Sequence, residues 1–384
     1  MSMSEVSIIK CFDYQPEKVN KSVRDAVDLI GGMGRFVKKG MRVLIKPNLL
    51  SDKPIDKAVN THPGIVKAVV DLVIEQGGIP RIGDNPGINS LTKVVQNSGL
   101  SEFIRGENIF LPDFSQYILK QTPKNYTFNE FKIAREVLEA DLVINLPKIK
   151  THGHMLLTLG VKNLFGCLAK HERIQWHLKA GINRDFFATM LLELYSLIQP
   201  GLTIVDGVIG MEGNGPGSGT PREIGVIIAG IDCLAIDTVI CDILNLDSQS
   251  LYTIKAATRQ ASLSEINVVG EKINQLKVNN FQLPPELKED SKWGFYIPKI
   301  IRTTLKHNLI PKPVINTTKC NLCHICLNHC PAKAISTDKR RLIIDYINCI
   351  RCFCCQEFCP QGAITIREGW ICKINPLRLI DAIS

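Results

Sequence analysis

Two short stretches, CNLCHICLNHCP (residues 320–331) and CIRCFCCQEFCP (residues 349–360), decide the fold of the C-terminal part of this 384-residue chain. They share the spacing Cys-x2-Cys-x2-Cys-x3-Cys-Pro, and each cysteine of the first recurs 29 positions later in the second, so the region is an internal repeat. Ten of the 14 cysteines lie between Cys320 and Cys372. The chain is too long for a small disulfide-stapled domain, and its start shows no secretory pattern. We therefore interpret these cysteines as ligands of metal clusters.

The spacing favours iron–sulfur cubes over zinc. Three thiolates separated by two residues can bind three corners of a cube, and the fourth ligand comes from the other run. Zinc prefers paired Cys-x2-Cys couples and would leave two cysteines of each run unexplained. We expect two [4Fe–4S] clusters, one bound by Cys320, Cys323, Cys326 and Cys359, and the other by Cys349, Cys352, Cys355 and Cys330.

The segment 317–368 resembles bacterial-type two-cluster ferredoxins. Ala-Ile pairs follow each Cys-Pro at 334–335 and 363–364, and residues 341–345 alternate like a short strand. The resemblance implies a small α+β domain. Cys354 and Cys372 fall outside the repeat, and we leave both out of the ligand set. Cys354 is either a spare ligand or, as we expect, a small buried residue.

The first 295 residues predict an α/β domain with a mostly parallel sheet. Continuous Val/Ile-rich runs at 42–46, 79–83, 141–145, 202–205 and 225–229 alternate with amphipathic stretches at 64–76 and 186–198. Such runs are typical of strands covered on both faces. Residues 296–316 are then a linker, 317–368 the cluster domain and 369–384 a C-terminal tail.

Polar residues follow most of these strands, and ligands of open parallel sheets bind at the strand ends. We therefore expect one polar site there, although Asn, Asp, Gly and Pro also end strands for purely conformational reasons. The lysines would bind an anionic group, a histidine would transfer protons, and a carboxylate would orient the ligand or a metal. The candidates are Lys46, His62, Asp84, Lys148, His152, Lys162, Asp206 and Glu212.

Two further features of this region stay open. The loop GNGPGSG contains Gly213, Gly215 and Gly217, and it either presents backbone N–H groups to an anion or forms a mobile lid. Four histidines, at 152, 154, 171 and 177, lie close together in the sequence. They are candidates for a metal site, but without carboxylates at fixed spacing we favour acid–base use of one of them.

At these residues the chain resembles the family known as domain of unknown function 362. The shared segments include KPN (46–48), THP (61–63), LPKIKTH (146–152), VKNLFG (161–166) and EGNGP (212–216). Many members of that family also end in a two-cluster ferredoxin domain. The resemblance covers nearly the whole chain and implies an iron–sulfur protein without a settled reaction. A more remote likeness, to the N-terminal domain of nickel-pincer lactate racemases, carries no ligand residues across.

Composition excludes several other classes. Apolar residues make up 45% and charged residues 22%, which is ordinary for a globular protein. No apolar run is long enough to span a bilayer, so we expect a cytoplasmic protein. A short basic helix between Pro298 and Pro311 could contact a membrane surface, but we favour packing at a domain junction. The net charge of +9 comes without a nucleic-acid-binding motif, so we expect no nucleic-acid partner.

These observations predict an iron–sulfur oxidoreductase whose clusters relay low-potential electrons to a substrate or cofactor at the strand ends. Two alternatives remain: an electron carrier with a non-catalytic docking domain, and a racemase- or isomerase-like enzyme with an organometallic cofactor. An additional organic or metal cofactor is compatible with the site, but no flavin fingerprint is visible. The partner is a redox protein or a small molecule.

Overall fold

The computed structural model describes residues 3–87, 89–107, 109–169, 172–284 and 311–367. Within these ranges, the strands are β1 Met3–Lys10, β2 Arg42–Pro47, β3 Ile79–Ile82, β4 Tyr117–Gln121, β5 Glu130–Ala134, β6 Leu142–Leu146, β7 Lys148–His152, β8 Leu156–Thr158, β9 Leu202–Glu212, β10 Thr220–Gly230, β11 Glu265–Gly270, β12 Lys312–Ile315, β13 Ile335–Asp338, β14 Arg341–Ile344 and β15 Ile364–Arg367.

The helices of the same ranges are mostly short. They are α1 Pro16–Asp28, α2 Met33–Phe36, α3 Pro63–Glu75, α4 Leu91–Asn97, α5 Leu100–Phe103, α6 Arg135–Leu138, α7 Gly160–Asn163, α8 Glu172–Ala180, α9 Arg184–Ile198, α10 Cys233–Ile243, α11 Tyr252–Gln260, α12 Ile325–Asn328 and α13 Cys354–Phe358. Single 3-10 turns lie at Ile55–Lys57, Leu164–Cys167, Ser248–Ser250 and Ile273–Gln275.

The N-terminal region folds around one large sheet, as the Val/Ile runs predict. The strand order is β11-β1-β10-β9-β6-β2-β3, and β7 and β8 extend it beside β9. The neighbours β3, β2, β6 and β9 are parallel, whereas β10 pairs antiparallel with both β9 and β1. The α/β prediction is confirmed. The antiparallel additions make the sheet mixed on one side of its parallel half.

Helices cover both faces of the sheet, which explains why its strands read as continuous apolar runs. In β2, Val43 and Ile45 face the core that contains α1 and α3, while Leu44 faces the core that contains α9. A third apolar cluster lies between α10 and strands β1 and β10. The carboxyl ends of β2, β3, β6 and β9 therefore open at one edge of a rigid layer.

The C-terminal residues form a small α+β unit, as predicted. Strand β12 pairs with β15 and β13 pairs with β14, so the predicted strand at 341–345 is present. The apolar core of this unit includes Ile335, Ile344 and Ile364 together with several cysteines. The predicted basic helix between Pro298 and Pro311 lies outside the described residues, and the domain boundaries at 295 and 316 stay predictions. No helix in the described ranges has the length and apolar composition needed to cross a membrane.

Candidate functional site

The eight repeat cysteines line two separate small cavities in the C-terminal unit. One is lined by Cys320, Cys323, Cys326 and Cys359 together with apolar side chains such as Leu342. The other is lined by Cys330, Cys349, Cys352 and Cys355 with Ile335, Ile344 and Phe353. Each cavity thus contains three cysteines of one run and the last cysteine of the other. This is the grouping that the spacing predicts for two cubes.

The backbone around the two cavities repeats as regularly as the sequence. Leu322 and His324 have positive φ angles of 58° and 60°, and their counterparts Arg351 and Phe353 have 54° and 60°. Alternating right- and left-handed residues turn successive N–H groups toward one point, which forms an anion-binding concavity. The amides of Ala334 and Ala363 also donate to the Sγ atoms four residues earlier, at 3.3 and 3.2 Å. This backbone suits a sulfur-rich anionic group.

The two cysteines outside the repeat differ in what the structure describes. Cys354 is only 1% exposed, and it lines neither of the two cysteine cavities. Cys372 lies outside the described residues.

A second kind of cavity, polar and narrow, lies where the strand ends meet the C-terminal unit. We call it the interdomain cavity. Strands β2, β7 and β8, helices α7, α8 and α13, and the segments after β2, β3, α7 and β9 all contribute to its lining. The polar or charged lining residues and one proline are Lys46, Asn48, Asp84, Lys150, His152, Thr158, Lys162, Asn163, Arg173, Pro216 and Glu357. Four predicted site residues, Lys46, Asp84, His152 and Lys162, therefore lie together.

Lys46 and Asp84 form a buried ion pair in the lining of this cavity. The Lys46 Nζ atom lies 2.8 Å from Asp84 Oδ1, and both side chains are at most 6% exposed. The other carboxylate oxygen of Asp84 accepts a hydrogen bond from the Leu49 amide at 2.6 Å. Because both charges are buried, each depends on the other for stabilisation. Lys46 is thus held in place by the end of the neighbouring parallel strand.

Asparagine side chains continue this network. Asn163 Oδ1 accepts from Asn48 Nδ2 at 2.9 Å and from Lys46 Nζ at 3.3 Å, and its Nδ2 donates to Asn145 Oδ1 at 2.8 Å. Lys150 Nζ donates to Asn48 Oδ1 and to the Val59 carbonyl, both at 2.7 Å. Burial lowers the pKa of Lys150 well below its ordinary value. A network in which the polar groups have partners specifies one rigid arrangement.

His152 has a defined tautomer and a partner from the other end of the chain. Its Nδ1 accepts hydrogen bonds from the amides of His154 and Met155, so in the neutral ring Nε2 carries the proton. Nε2 lies 2.8 Å from Glu357 Oε1 without the alignment of a full hydrogen bond. Burial lowers the pKa of His152 to about 4, against the opposing effects of Glu357.

Glu357 is the site residue that sequence reasoning missed. It lies on α13, two positions after Cys355, and its side chain is 3% exposed. Gln356 beside it donates to Asn214 Oδ1 at 2.8 Å and to the Gly215 carbonyl at 3.0 Å. Its position between Cys355 and Cys359 was the only signal in the sequence. The contact itself joins residues 205 positions apart, and no local pattern records such a contact.

Lys162 differs from the other lysines of the interdomain cavity. It is 8% exposed, and no hydrogen-bond or ion-pair acceptor for its Nζ is found among the described residues. The amine lies 5.7 Å from the Phe165 ring centroid and 6.0 Å from that of Phe187. Burial lowers its pKa to about 8, with the Glu357 charge acting in the opposite direction. At neutral pH the ammonium form therefore still predominates.

The remaining histidine and lysine candidates line a different cavity of about 220 Å³, here called the His62 cavity. Lys148 Nζ lies 2.7 Å from Asp206 Oδ2, and Tyr14 donates to Asp206 Oδ1 at 2.7 Å. The His62 ring stacks on Tyr14 with centroids 3.6 Å apart, and burial lowers the His62 pKa to about 4. Asp206 itself is fully buried behind these groups.

The sequence predicts one polar site, but the strand-end residues line two cavities. The reason lies in β7, whose pairing with β9 shifts register between Lys148 and Lys150. A bulge re-aims the side chains of a strand. Consequently Lys148 lines the His62 cavity, whereas Lys150 lines the interdomain cavity.

Glu212 and the glycine loop lie at the margin of these sites. Glu212 accepts from the Gln282 amide at 3.0 Å and lines neither cavity. Gly215 packs so closely on Thr151 that a Cβ would lie 2.2 Å from the Thr151 carbonyl oxygen. A Cβ on Gly217 would lie 3.1 Å from the Glu357 carbonyl oxygen, and Gly213 has open space around it. Gly215 therefore permits close packing within the α/β domain, whereas Gly217 permits close contact with the C-terminal unit.

The histidine cluster is buried but is not arranged around one ion. His154 and His177 have ring centroids 6.4 Å apart, and His177 stacks on Phe187. Burial lowers the pKa of His177 to about 3, so both rings are neutral at physiological pH. His171 lies outside the described residues. Among the residues that are described, no three His, Cys, Asp or Glu side chains are placed to hold a single metal ion.

Comparison with known proteins gives the class. The family described as a domain of unknown function (DUF362) matches residues 43–242, and a 4Fe-4S dicluster domain matches residues 312–360. The chain therefore belongs to the DUF362 family and is an iron–sulfur protein with a C-terminal 4Fe-4S domain. It is 37% identical over 308 residues to the thylakoid-associated protein sll1697 of Synechocystis sp., covering 79% of this chain and 94% of that protein.

A solved structure is also similar. The lactate racemase apoprotein from Thermoanaerobacterium thermosaccharolyticum has a TM-score of 0.38 and 11% sequence identity, over 60% of this chain and 54% of that one.

Proposed function

We propose that this protein is an oxidoreductase in which two [4Fe–4S] clusters relay electrons to a ligand held in the interdomain cavity. The proposed cluster ligands are the two cysteine sets defined above. Each set lines one cavity, and positive φ angles recur at matching positions of the two cysteine runs. The bound clusters would supply single low-potential electrons.

One observation carries the proposal: the second cysteine run forms a wall of the α/β site. Helix α13 contains Cys355, and the same helix contributes Glu357 to the interdomain cavity. Phe353, which lines the cysteine cavity, also contacts the His154 ring at 6.4 Å between centroids. A docking domain without a catalytic role would not need a buried carboxylate from the cluster unit. Under this proposal, a cluster bound by Cys355 would lie two residues along the chain from a side chain of the polar site.

The residues of the cavity have separable roles under this proposal. Lys46 and Asp84 hold the strand ends in register and present a fixed dipole to the ligand. The His152–Glu357 pair can hold or release a proton at Nε2, because Nδ1 is occupied by two backbone amides. Lys162 supplies a positive charge that no neighbouring carboxylate neutralises by direct contact in the described part of the chain. A ligand that gains electrons would thus find both a cation and a proton donor nearby.

The test uses full-length protein purified without oxygen. Iron and sulfide are quantified, and low-temperature EPR is recorded before and after dithionite, with mass spectrometry of small molecules released on denaturation. We expect about eight irons per chain and a signal from reduced clusters that is lost when a cavity ligand is added. If a ligand binds but never reoxidises the clusters, the protein is an electron carrier and not an enzyme acting on that ligand.

The Glu357→Gln variant tests the link between the two units. It keeps the size of the side chain and every cysteine, so we expect full iron content with slower reoxidation of the clusters by the same ligand. Unchanged reoxidation would show that the wall formed by α13 is structural. A cytoplasmic location remains part of this proposal, and the thylakoid association in the name of the relative belongs to that protein.

A further inference from the structure

The interdomain cavity contains several buried donors that have no acceptor among the described residues. Among the described residues, Thr158 Oγ1 and Arg173 Nε are each buried without a hydrogen-bond partner. The Lys162 ammonium group faces the same cavity and likewise lacks a bonded acceptor in the described ranges. Buried donors left unpaired cost free energy, so native proteins rarely retain them without a ligand or water. These groups therefore indicate a binding site for a ligand that carries hydrogen-bond acceptors.

The charges of the cavity point to an anion. Its basic lining residues are Lys46, Lys150, Lys162 and Arg173, against the acidic residues Asp84 and Glu357. The Lys150 amine already donates to Asn48 and to the Val59 carbonyl. Lys46 is already paired with Asp84 at 2.8 Å. Lys148, a third lysine predicted to bind an anion, is paired with Asp206 in the His62 cavity. Lys162 and Arg173 are therefore the cations left to meet a ligand.

The space available limits the size of this ligand. The cavity offers about 30 Å³ to the centre of a water molecule, about the room for two or three waters on a scale where one water needs about 10–15 Å³. Arg173 is fixed at one end, because its Nη1 donates to the Asn85 carbonyl at 2.6 Å and its guanidinium lies over the Phe165 ring. Only a compact group with several acceptor atoms fits between these donors.

We propose that the interdomain cavity binds a small oxyanion of about three to five heavy atoms, held by Lys162, Arg173 and Thr158. That this oxyanion is a substrate depends on the proposed function. That the cavity binds an oxyanion depends only on the unpaired donors. Carboxylates and inorganic oxyanions share the required geometry, and the experiment separates them.

The test is isothermal titration calorimetry of oxidised, cluster-loaded protein with formate, acetate and phosphate at constant ionic strength, with chloride as the background ion. We expect one site per chain for at least one of these anions. Saturation by formate or acetate but not phosphate would assign the site to carboxylates, and the reverse to inorganic oxyanions. Absence of saturable heat for all three would overturn the proposal.

Variants keep the proposal falsifiable if one of them fails to fold. Lys162→Met is expected to weaken binding at least tenfold, and Lys162→Arg to retain most of it because the charge stays. Thr158→Val, which preserves shape and removes one donor, is expected to weaken binding about three- to tenfold. Lys120→Met, on exposed strand β4, makes the same charge change away from the cavity and should bind like the parent. Equal affinity in Lys162→Met and Lys120→Met would refute the site.

This experiment is independent of electron transfer, because no reductant is present. Binding without reoxidation of reduced clusters would defeat the proposed function and leave the anion site intact. Reoxidation by a ligand that does not compete with the oxyanion would support electron transfer to a ligand and would place that ligand outside the anion site.

Discussion

The two cysteine cavities and the interdomain cavity are built in opposite ways. Each cysteine cavity takes three of its four cysteines from seven consecutive residues, and the repeated positive φ angles at 322, 324, 351 and 353 follow the same local repeat. The interdomain cavity brings together side chains from several strands, helices and loops of the α/β domain and from α13, separated by as many as 311 residues. A site whose ligands follow a local spacing can be predicted from the sequence, whereas a site built from long-range contacts cannot.

The two regions also neutralise charge differently. In the α/β domain each buried ion pair joins distant residues, as Lys46 does with Asp84 and Lys148 with Asp206. In the C-terminal unit the proposed cluster ligands are cysteines on two loops, which would carry negative charge as thiolates when they bind a cluster. We therefore expect mutations to separate two quantities, the iron content of the protein and the stability of its α/β domain.

The largest expected effect is on iron content. Cys355→Ser removes a proposed ligand and should lower the iron from about eight to about four per chain. Cys354→Ser, one residue away, should keep the full complement because Cys354 lines neither cysteine cavity. Iron and sulfide analysis with EPR measures both. Loss of iron in the Cys354 variant alone would mean that the spacing rule assigns the wrong thiol.

The next effect concerns the stability of the α/β domain. Asp206→Asn leaves the fully buried Lys148 ammonium without its partner, and we expect a loss of about 3–5 kcal/mol in the free energy of unfolding. Asp141→Asn breaks an exposed pair with Arg42 and serves as the control, with little change expected. Urea unfolding followed by circular dichroism compares them. Equal stability of both variants would show that the Lys148 amine is neutral in the folded protein.

Acid should weaken the same domain in a defined range of pH. Because burial lowers the pKa of His62 to about 4, the unfolded chain binds a proton there between its ordinary pKa of about 6.5 and pH 4, while the folded chain does not. Stability due to this residue is therefore complete above pH 6.5 and falls as the pH drops toward 4, by about 1.4 kcal/mol per pH unit and about 3 kcal/mol in total.

The His62→Asn variant tests this slope. Asparagine keeps a cap for helix α3, where the His62 ring accepts from the Gly64 amide, but it does not titrate. Unfolding of parent and variant at matched pH values should give a shallower pH dependence for the variant. Parallel curves would assign the acid lability to other groups.

The smallest effect has the opposite sign. Lys162→Met replaces a buried ammonium whose lowered pKa reports an unfavourable environment, so we expect the variant to be about 1–3 kcal/mol more stable at pH 7. The residue would then resemble many functional groups, which are retained at the expense of stability. Lys120→Met is the matched control in the same urea titration. A destabilised Lys162→Met variant would indicate that the lysine is structural.

The sequence predicted the layers of the fold, and four of the eight candidate site residues line the interdomain cavity. The strand runs and the helices α3 and α9 were predicted because apolar periodicity is a local signal, and the family match agrees with the quoted segments. The antiparallel hairpin β9–β10 and the split between Lys148 and Lys150 were not predicted. Pairing order and a register shift in β7 depend on contacts that no local pattern records.

The sequence by itself determined the class of this protein and the grouping of its cysteines, because a cube imposes its spacing on neighbouring residues of one loop. Only the tertiary structure decided which polar groups share a cavity, which lysines have a carboxylate partner, and that Glu357 of the cluster unit faces His152 of the α/β domain. Burial and pairing of charge are properties of packed surfaces, and packing joins residues that the chain keeps far apart.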